Sequence, residues 1–242
     1  MPDTPKVFLS AEWLHLAMLN FSVDPALLLP HVPAGTTLDS FHGKTYISLV
    51  GFIFRRTKMF GTISVPFHSE FEEVNLRFYV YRNHGTERRR GVVFIAEIVP
   101  KPAIALTARL VYGENYASLP MAHKVAPAAD GMEVEYAWKK RGQWLRLTAR
   151  SDGTPQLPAE NSLEQYITEH YWGYAQRRGR STLEYQVTHA PWRVWRCSHA
   201  GFDGNGAELY GRELGATLSL PPDSAFLAEG SFVQVLRPKE IS

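Results

Sequence analysis

The clearest pattern of polar and apolar positions in the chain lies over residues 73–81. One face carries Glu73, Asn75, Arg77, Tyr79 and Tyr81, and the other carries Val74, Leu76, Phe78 and Val80. This period of two predicts a β-strand, because successive side chains of a strand point to opposite faces of its sheet. The apolar face is suited to a core. The polar face is suited either to an interior pocket or to solvent.

Other segments add strands and a few short helices. Runs rich in β-branched and aromatic residues predict strands over 46–54, 92–99, 133–138, 144–150, 183–188 and 232–236. Helices are predicted over 25–29 after the N-cap Asp24, over 102–112 between a proline and Gly113, and over 163–171 after the capping residue Ser162. Turns are placed at Arg141-Gly142 and at a loop holding Asn83, Gly85 and Gly91. We therefore expect a mainly β (α+β) fold whose antiparallel sheet closes or folds over.

One domain over 1–242 is predicted. The most linker-like stretches, 126–131 and 151–158, are short and are interpreted as loops within that domain. Strand-rich domains of this length are common, and a chain of 242 residues can bury a large core.

Composition narrows the classes of partner and compartment. The net charge is +2, and the basic clusters, such as Arg88-Arg89-Arg90, are short and beside turn residues, so we expect no nucleic-acid partner. Cys197 is the single cysteine, which excludes an internal disulfide and fits a reducing compartment. Residues 1–10 lack an apolar signal core, and no apolar run approaches the roughly 20 residues of a membrane helix. We expect a cytoplasmic protein that does not bind membranes.

No motif indicates a metal or a cofactor. The nine histidines show no ligand spacing, and no phosphate-binding loop or nucleophile elbow is present. We therefore expect neither a metal nor a cofactor.

Several segments resemble a bacterial family of unknown function, the YqjF-like proteins. They are residues 13–20, 32–36, 46–52, 71–80, 90–94, 112–116 and 171–172. The run Phe-Glu-Glu-Val-Asn-Leu-Arg over 71–77 is the most specific of them. The YqjF-like proteins resemble acetoacetate decarboxylase distantly. The resemblance implies a closed, cone-like antiparallel β-barrel with an interior pocket and a few short peripheral helices, but it implies no activity, since one fold hosts unrelated functions.

The decarboxylase-like chemistry has one candidate residue here. That enzyme uses a Schiff-base lysine whose pKa is lowered by an adjacent lysine in an apolar pocket. The matching region, 98–103, contains only Lys101, and its neighbour is Pro102. Lys101 is thus either a retained catalytic residue or a solvated loop lysine, and we predict that it forms no Schiff base.

Other candidate site residues follow from the strand pattern. If the polar face of 73–81 lines the barrel, Glu73, Asn75, Arg77 and Tyr79 form a ligand-binding wall on which the guanidinium of Arg77 could bind a carboxylate. If it faces outward, these are solvated side chains.

Glu97 is the charged residue of the apolar strand 92–99, so it is either a catalytic acid or base or the partner of Arg77 or Arg109 in an ion pair. Counting out from the turn places Arg77 opposite Ile95 or Ala96, close to Glu97. Asn115 and Tyr116 follow a helix end and are candidate ligand-binding residues. Asn115 either contributes to the helix C-cap or lies in a plain loop, and Tyr116 either lines the cavity mouth or lies in that loop.

Three hypotheses of function follow. The first is a barrel that binds a small organic molecule, with an anionic molecule as one option. The second is a non-catalytic structural or interaction protein whose barrel is filled by its own side chains. The third is a Schiff-base enzyme that acts through Lys101. The sequence determines neither the ligand nor the oligomeric state.

Overall fold

Strands dominate the computed structural model, which describes residues 6–60, 63–64, 69–177 and 181–241. The strands are β1 (Val7–Val23), β2 (Thr37–Leu38), β3 (Thr45–Met59), β4 (Ile63–Ser64), β5 (Phe71–His84), β6 (Glu87–Val99), β7 (Tyr116–Ser118), β8 (Met121–Ala128), β9 (Gly131–Lys140), β10 (Gln143–Ser151), β11 (Trp172–Gln176), β12 (Thr182–His189), β13 (Val194–Asp203), β14 (Ser224–Leu236) and β15 (Lys239–Ile241). The helices are α1 (Pro25–Leu28), α2 (Pro102–Tyr112), α3 (Leu163–Thr168), α4 (Ala207–Tyr210) and α5 (Arg212–Leu218), and a 3-10 turn covers Leu29–His31. The expected mainly β class is confirmed.

Strand pairing follows a circuit that returns to its start. It runs from β14 through β1, β3, β5, β6 and β11 to β12, and β12 pairs with β14 through Val187–Val235, Thr188–Gln234 and His189–Val233. From β14 the sheet also continues through β13, β10 and β9 to β8. The long strands β1, β3 and β5 carry the most extensive pairing of this circuit.

The expectation of a purely antiparallel sheet is wrong. Strand β6 pairs in parallel with β7 and with β11. A parallel neighbour requires a crossover connection, and helix α2 supplies one between β6 and β7. The parallel pairing matters for the site, because it places Tyr116 directly beside Glu97.

Both faces of β5 are buried over residues 71–80. The apolar face packs into a cluster that includes Tyr136 and Trp138 from β9, while the polar face meets a second cluster that includes Phe52 and Phe54. The interpretation of the polar residues as solvated side chains is therefore wrong for Glu73, Asn75, Arg77 and Tyr79, all of which are buried.

The helix ends agree largely with the local signals. Asp24 caps α1 by accepting a hydrogen bond from the backbone of Ala26 at 2.8 Å, and Gly113 ends α2 in the left-handed conformation with φ 69°. Ser162 caps α3, but that helix ends at Thr168 rather than near residue 171, because the chain leaves helical geometry at Glu169 and enters β11.

Two turn assignments need correction. The β5–β6 hairpin turns at residues 85–86, so Gly91 lies within β6. A Cβ at Gly91 would lie 2.7 Å from the carbonyl oxygen of Trp172, so the glycine permits β11 to approach. Residues 126–128, interpreted as part of a loop, belong to β8. Among the described helices, none combines the length and the apolar character needed to cross a membrane.

Candidate functional site

A cavity of about 180 Å³ lies against the polar face of β5. Apolar and aromatic side chains form most of its wall, among them Trp13, Phe52, Phe54, Tyr112 and Trp192. They come from β1, β3, α2 and the segment after β12, so elements distant in sequence line one cavity. The volume far exceeds the roughly 10–15 Å³ needed by one water molecule.

Alternation along β5 places three polar residues in this wall. Glu73, Asn75 and Arg77 all line the cavity. Because these residues are two positions apart in a strand, the Cα atoms of Glu73 and Asn75, and those of Asn75 and Arg77, are separated by about 6.5 Å. Tyr79 continues the same face but does not line the cavity; its hydroxyl contacts Ser48 Oγ at 2.5 Å.

A β-bulge in β6 brings Glu97 to the same wall. Leu76 pairs with Ala96 and Arg77 pairs with Phe94, so Ile95 is an extra residue. Without the bulge, strict alternation would turn Glu97 away from the face that carries Phe94. With it, Glu97 lines the cavity directly opposite Asn75.

Asn115 stabilises this bulge. The side-chain N–H of Asn115 donates to the carbonyl oxygen of Ile95 at 2.7 Å. The backbone carbonyl oxygen of Asn115 accepts a hydrogen bond from the backbone N–H of Glu97 at 3.0 Å. The Asn115 side chain is exposed and does not line the cavity. Its observed contacts are therefore those of a residue that positions Glu97.

The expected pairing of Arg77 with Glu97 is wrong. Arg77 lies opposite Phe94 rather than Ile95 or Ala96, because the turn is centred at residues 85–86, one residue earlier than the count assumed. The bulge at Ile95 begins beyond Arg77 and places Glu97 opposite Asn75. Within the described residues, Arg77 makes no ion pair within 4.0 Å. Its Nη2 donates to the carbonyl oxygen of Ile167 at 3.2 Å, and its Nε is buried without a hydrogen-bond partner.

Glu73 and Glu97 have different hydrogen-bond environments. Glu73 accepts hydrogen bonds from Asn75 Nδ2 at 3.0 Å and from the Tyr116 hydroxyl at 2.9 Å. Glu97 Oε2 is buried with no partner among the described atoms, and only 2% of Glu97 is exposed. Tyr116 lines the cavity, and its hydroxyl contact places it in the same wall as Glu73.

Glu114 is a site residue that the sequence alone did not single out. It is buried, lines the cavity and accepts a hydrogen bond from the Tyr185 hydroxyl at 2.8 Å. It follows the helix-ending Gly113, where a solvated loop is the usual expectation. The sequence feature that could have pointed to Glu114 is its position just after the predicted helix 102–112 and its terminal glycine.

The three carboxyl groups resist ionisation. Burial raises the pKa of Glu73 to about 7, although its hydrogen bonds and the charge of Arg77 oppose the shift. Burial raises the pKa of Glu114 to about 8. Burial, followed by the charges of Glu114 and Glu73, raises the pKa of Glu97 well above its ordinary value. A charge in a low-dielectric wall is costly, and neighbouring like charges add to that cost.

A histidine borders the cavity beside Arg77. His170 is buried, its ring lies 4.7 Å from that of Tyr79, and both ring nitrogens lack a hydrogen-bond partner in the described chain. Its Nε2 is 3.8 Å from Asp39 Oδ2, which is too long for a hydrogen bond. Burial lowers the pKa of His170 to about 4, so its ring is neutral at physiological pH.

Lys101 lies away from this wall. It is the N-cap residue of α2 and is absent from the cavity lining, to which that helix contributes Ala103, Ile104 and Thr107. None of the described lining residues is a lysine. In the described part of the chain, no three histidine, cysteine or acidic side chains are arranged to hold a metal ion.

Comparison with solved structures defines the class of fold. The chain is similar to the enduracididine biosynthesis enzyme MppR complexed with pyruvate (TM-score 0.68, 14% identity, 100% of this chain and 92% of that chain). It is also similar to acetoacetate decarboxylase from Legionella pneumophila (TM-score 0.63, 13% identity, 100% and 88%). An acetoacetate decarboxylase-like enzyme from Sphingomonas wittichii RW1 gives a TM-score of 0.65 at 12% identity over 97% and 93% of the two chains. The chain thus has the acetoacetate decarboxylase-like fold.

The sequence comparisons give the particular family. Residues 10–231 match the family DUF2071, described as an uncharacterized conserved protein, and the chain belongs to this family. It is 24% identical over 184 residues to the uncharacterized protein YqjF of Bacillus subtilis (strain 168), which covers 74% of this chain and 72% of that protein. The resemblance to the YqjF-like proteins and their distant relation to acetoacetate decarboxylase are confirmed.

Proposed function

We propose that the cavity binds a small organic molecule that bears a carboxylate, and that Arg77 is the group that binds it. The observation that carries this proposal is the Arg77 guanidinium, which is buried in an apolar wall with no ion-pair partner among the described residues. An isolated buried charge is costly, so such a group favours an anionic ligand. The planar fork of arginine matches a carboxylate through two parallel hydrogen bonds.

Other atoms in the same wall support a polar ligand. Arg77 Nε, Asn75 Oδ1 and Glu97 Oε2 are all buried without hydrogen-bond partners in the described chain. Unpartnered buried polar atoms are rare in native proteins. Here they supply a donor, an acceptor and, when Glu97 is protonated, a second donor along one side of the cavity.

The two alternative hypotheses have weaker support. A structural protein with a filled barrel would have no need of a cavity of about 180 Å³ bordered by polar side chains. A Schiff-base enzyme acting through Lys101 would need that side chain at the cavity, and Lys101 does not line it. MppR was solved with pyruvate, which makes small oxo acids sensible first probes here.

A cationic ligand is the competing candidate, because three carboxyl groups border the cavity. The pH dependence of ligand affinity distinguishes an anionic ligand from a cationic one. If the ligand is an anion, it binds best when the carboxyl groups are protonated, so its affinity falls as the pH rises from about 6 to about 9. The fall is up to about tenfold per pH unit for each proton taken up on binding. If the ligand is a cation, its affinity rises over the same range.

The experiment is calorimetric titration of a panel of small carboxylates and small amines into the wild type, Arg77→Met and Arg77→Lys. The exposed Arg150 provides a matched control as Arg150→Met. We expect a carboxylate to bind the wild type and Arg150→Met, to bind Arg77→Lys more weakly, and to lose at least tenfold affinity in Arg77→Met. Equal carboxylate affinity in all four proteins, or binding of amines alone, would refute the proposal.

A further inference from the structure

We infer that Glu73 and Glu97 form an acid–base pair that moves a proton to and from the carbon beside a carbonyl group of the bound carboxylate, without a lysine. This inference rests on the proposed function, because Arg77 must first hold the ligand. It assigns a reaction class to the site: enolisation of small oxo acids.

The hydrogen bonds around the two carboxyl groups assign their roles. Glu73 accepts one hydrogen bond on each oxygen, from Asn75 at 3.0 Å and from Tyr116 at 2.9 Å. Donors of this kind stabilise the carboxylate, which makes Glu73 the base. The charge of Arg77 acts in the same direction.

Glu97 has the opposite environment. Its Oε2 has no donor among the described residues, and Glu73 and Glu114 are its acidic neighbours. The nearby Tyr116 hydroxyl, which donates to Glu73, lowers the pKa of Glu97 less than burial and these two charges raise it. Burial with like charges nearby keeps a carboxyl group protonated, which makes Glu97 the acid. Two carboxyl groups whose environments differ in this way are the usual basis for acid and base assignments. The pKa of about 7 for Glu73 suits a base that works near neutral pH.

The register of β5 and β6 places the two carboxyl groups near Arg77. Glu97 lies opposite Asn75, and Arg77 is the next residue along the same face of β5. The separation of about 6.5 Å between these positions is comparable to the length of a small oxo acid with its hydrogen bonds. A ligand whose carboxylate contacts Arg77 therefore extends its carbonyl group toward the carboxyl groups.

The proton balance needs no further reactant. Glu73 removes a proton from the carbon beside the carbonyl, and the C–H electron pair forms the carbon–carbon double bond of the enol. The carbonyl oxygen receives the π electrons and takes the proton of Glu97. In the return step the enol oxygen gives a proton back to Glu97, and the carbon takes one from Glu73. If Glu73 exchanges with deuterated solvent in between, the carbon becomes deuterated.

The wall is suited to this chemistry because most of its lining is apolar and its polar side chains are buried. Tyr116 and Tyr185 have a pKa raised well above the ordinary value by burial, so both hydroxyls stay protonated. Tyr116 donates to Glu73 and Tyr185 donates to Glu114. The elements that pack against Glu73 and Glu97 also present Arg77, Glu114 and Asn75.

The test is exchange of C3 protons of pyruvate and 2-oxobutyrate in deuterium oxide, followed by proton NMR. We expect the wild type to exceed buffer, Glu73→Gln to lose about 100-fold or more, and Glu97→Gln to lose about 10-fold or more, since one acid or base contributes about 10²–10⁴. Both variants must still bind the oxo acid in calorimetry. The exposed Glu160 supplies the control Glu160→Gln, which should match the wild type.

Two further measurements keep the outcomes distinct. An imine would also accelerate exchange, so Lys101→Ala must retain the rate, and borohydride treatment with pyruvate must add no mass. A stable adduct, or loss of exchange in Lys101→Ala, would overturn the inference. Binding without exchange would overturn it while leaving the proposed function intact, whereas absence of carboxylate binding would refute the proposed function itself.

If circular dichroism shows that Glu73→Gln misfolds, Tyr116→Phe serves as the second variant. This substitution should shift the pH profile of exchange to higher pH. An unchanged profile would contradict the role of Glu73.

Discussion

Replacing Glu114 with glutamine should make the protein more resistant to alkaline conditions. Glu114 is buried, and its Oε1 accepts a hydrogen bond from Tyr185 at 2.8 Å. Glutamine keeps an acceptor oxygen in nearly the same shape but cannot ionise. The substitution therefore removes a titration and little else.

The magnitude follows from the pKa of Glu114, which burial raises from 4.5 to about 8. Between these pH values the folded state binds more protons than the unfolded state, so the free energy of unfolding falls as pH rises. One proton corresponds to about 1.4 kcal/mol per pH unit, or about 5 kcal/mol over the window. Glu73 and Glu97 also hold protons in the folded state and interact with Glu114, so they contribute to the same fall in the free energy of unfolding. Glu114 alone therefore contributes a slope of at most about 1.4 kcal/mol per pH unit.

The assay is urea denaturation at several pH values between about 5 and 8. We expect the wild type and the Glu160→Gln control to lose free energy of unfolding as pH rises, and Glu114→Gln to lose clearly less. Near pH 5 the wild type and Glu114→Gln should be similar, because the wild-type carboxyl group is then neutral. Identical slopes in the two proteins would show that Glu114 is not kept protonated by its surroundings, and the electrostatic account of the cavity would fail.

Three further predictions concern positions around the cavity. His170 has a pKa of about 4 in the folded protein against 6.5 when unfolded, so acid should destabilise the wild type by about 3 kcal/mol as pH falls through that window, and denaturation curves of His170→Leu should lack this loss. Gly113→Ala should lower the free energy of unfolding by about 1–2 kcal/mol in urea denaturation, because φ is 69° there; a neutral result would contradict the capping role. Asn115→Ala should lower the free energy of unfolding by about 1 kcal/mol and slow proton exchange, while oxo acid affinity, measured by calorimetry, stays the same; an unchanged exchange rate would contradict the positioning role of Asn115.

Local signals explain why some elements were predictable from the sequence. The alternation over 73–81 predicts a strand, and the proline and glycine at the ends of α2 predict a helix, because each geometry is determined by neighbouring residues. The sequence of strand β1 shows no such pattern. Its pairing with β3 shifts register twice, between Ser10 and Glu12 and between Leu14 and Ala17, and most of its later residues are buried on both faces. These shifts break the period of two that would reveal a long strand.

The site was predictable only where one strand determines it. Glu73, Asn75 and Arg77 share a face through simple alternation, and all three line the cavity. The partners of Glu97 depend on the bulge at Ile95 and on the parallel neighbour β7, which arise from pairing between segments. No local pattern reports a bulge, so the residue opposite Glu97 could not be counted from the turn. The residue opposite Arg77 was missed for a different reason, because the turn lies one residue earlier than the count assumed.

Like charges in an apolar cavity have consequences that depend on their sign. A lysine beside a second cation in such a cavity loses its proton and becomes a nucleophile. In this protein the described cavity wall holds carboxyl groups from β5, β6 and the end of α2, and no lysine. The same repulsion acting on carboxyl groups makes them retain their protons, which produces neutral acids. A fold whose cavity brings several strands and a helix end together can therefore change from amine chemistry to acid–base chemistry by exchanging a few wall residues. Glu97 is buried, its Oε2 has no hydrogen-bond partner among the described residues, and it has two acidic neighbours, which is the environment that this reasoning requires of the acid.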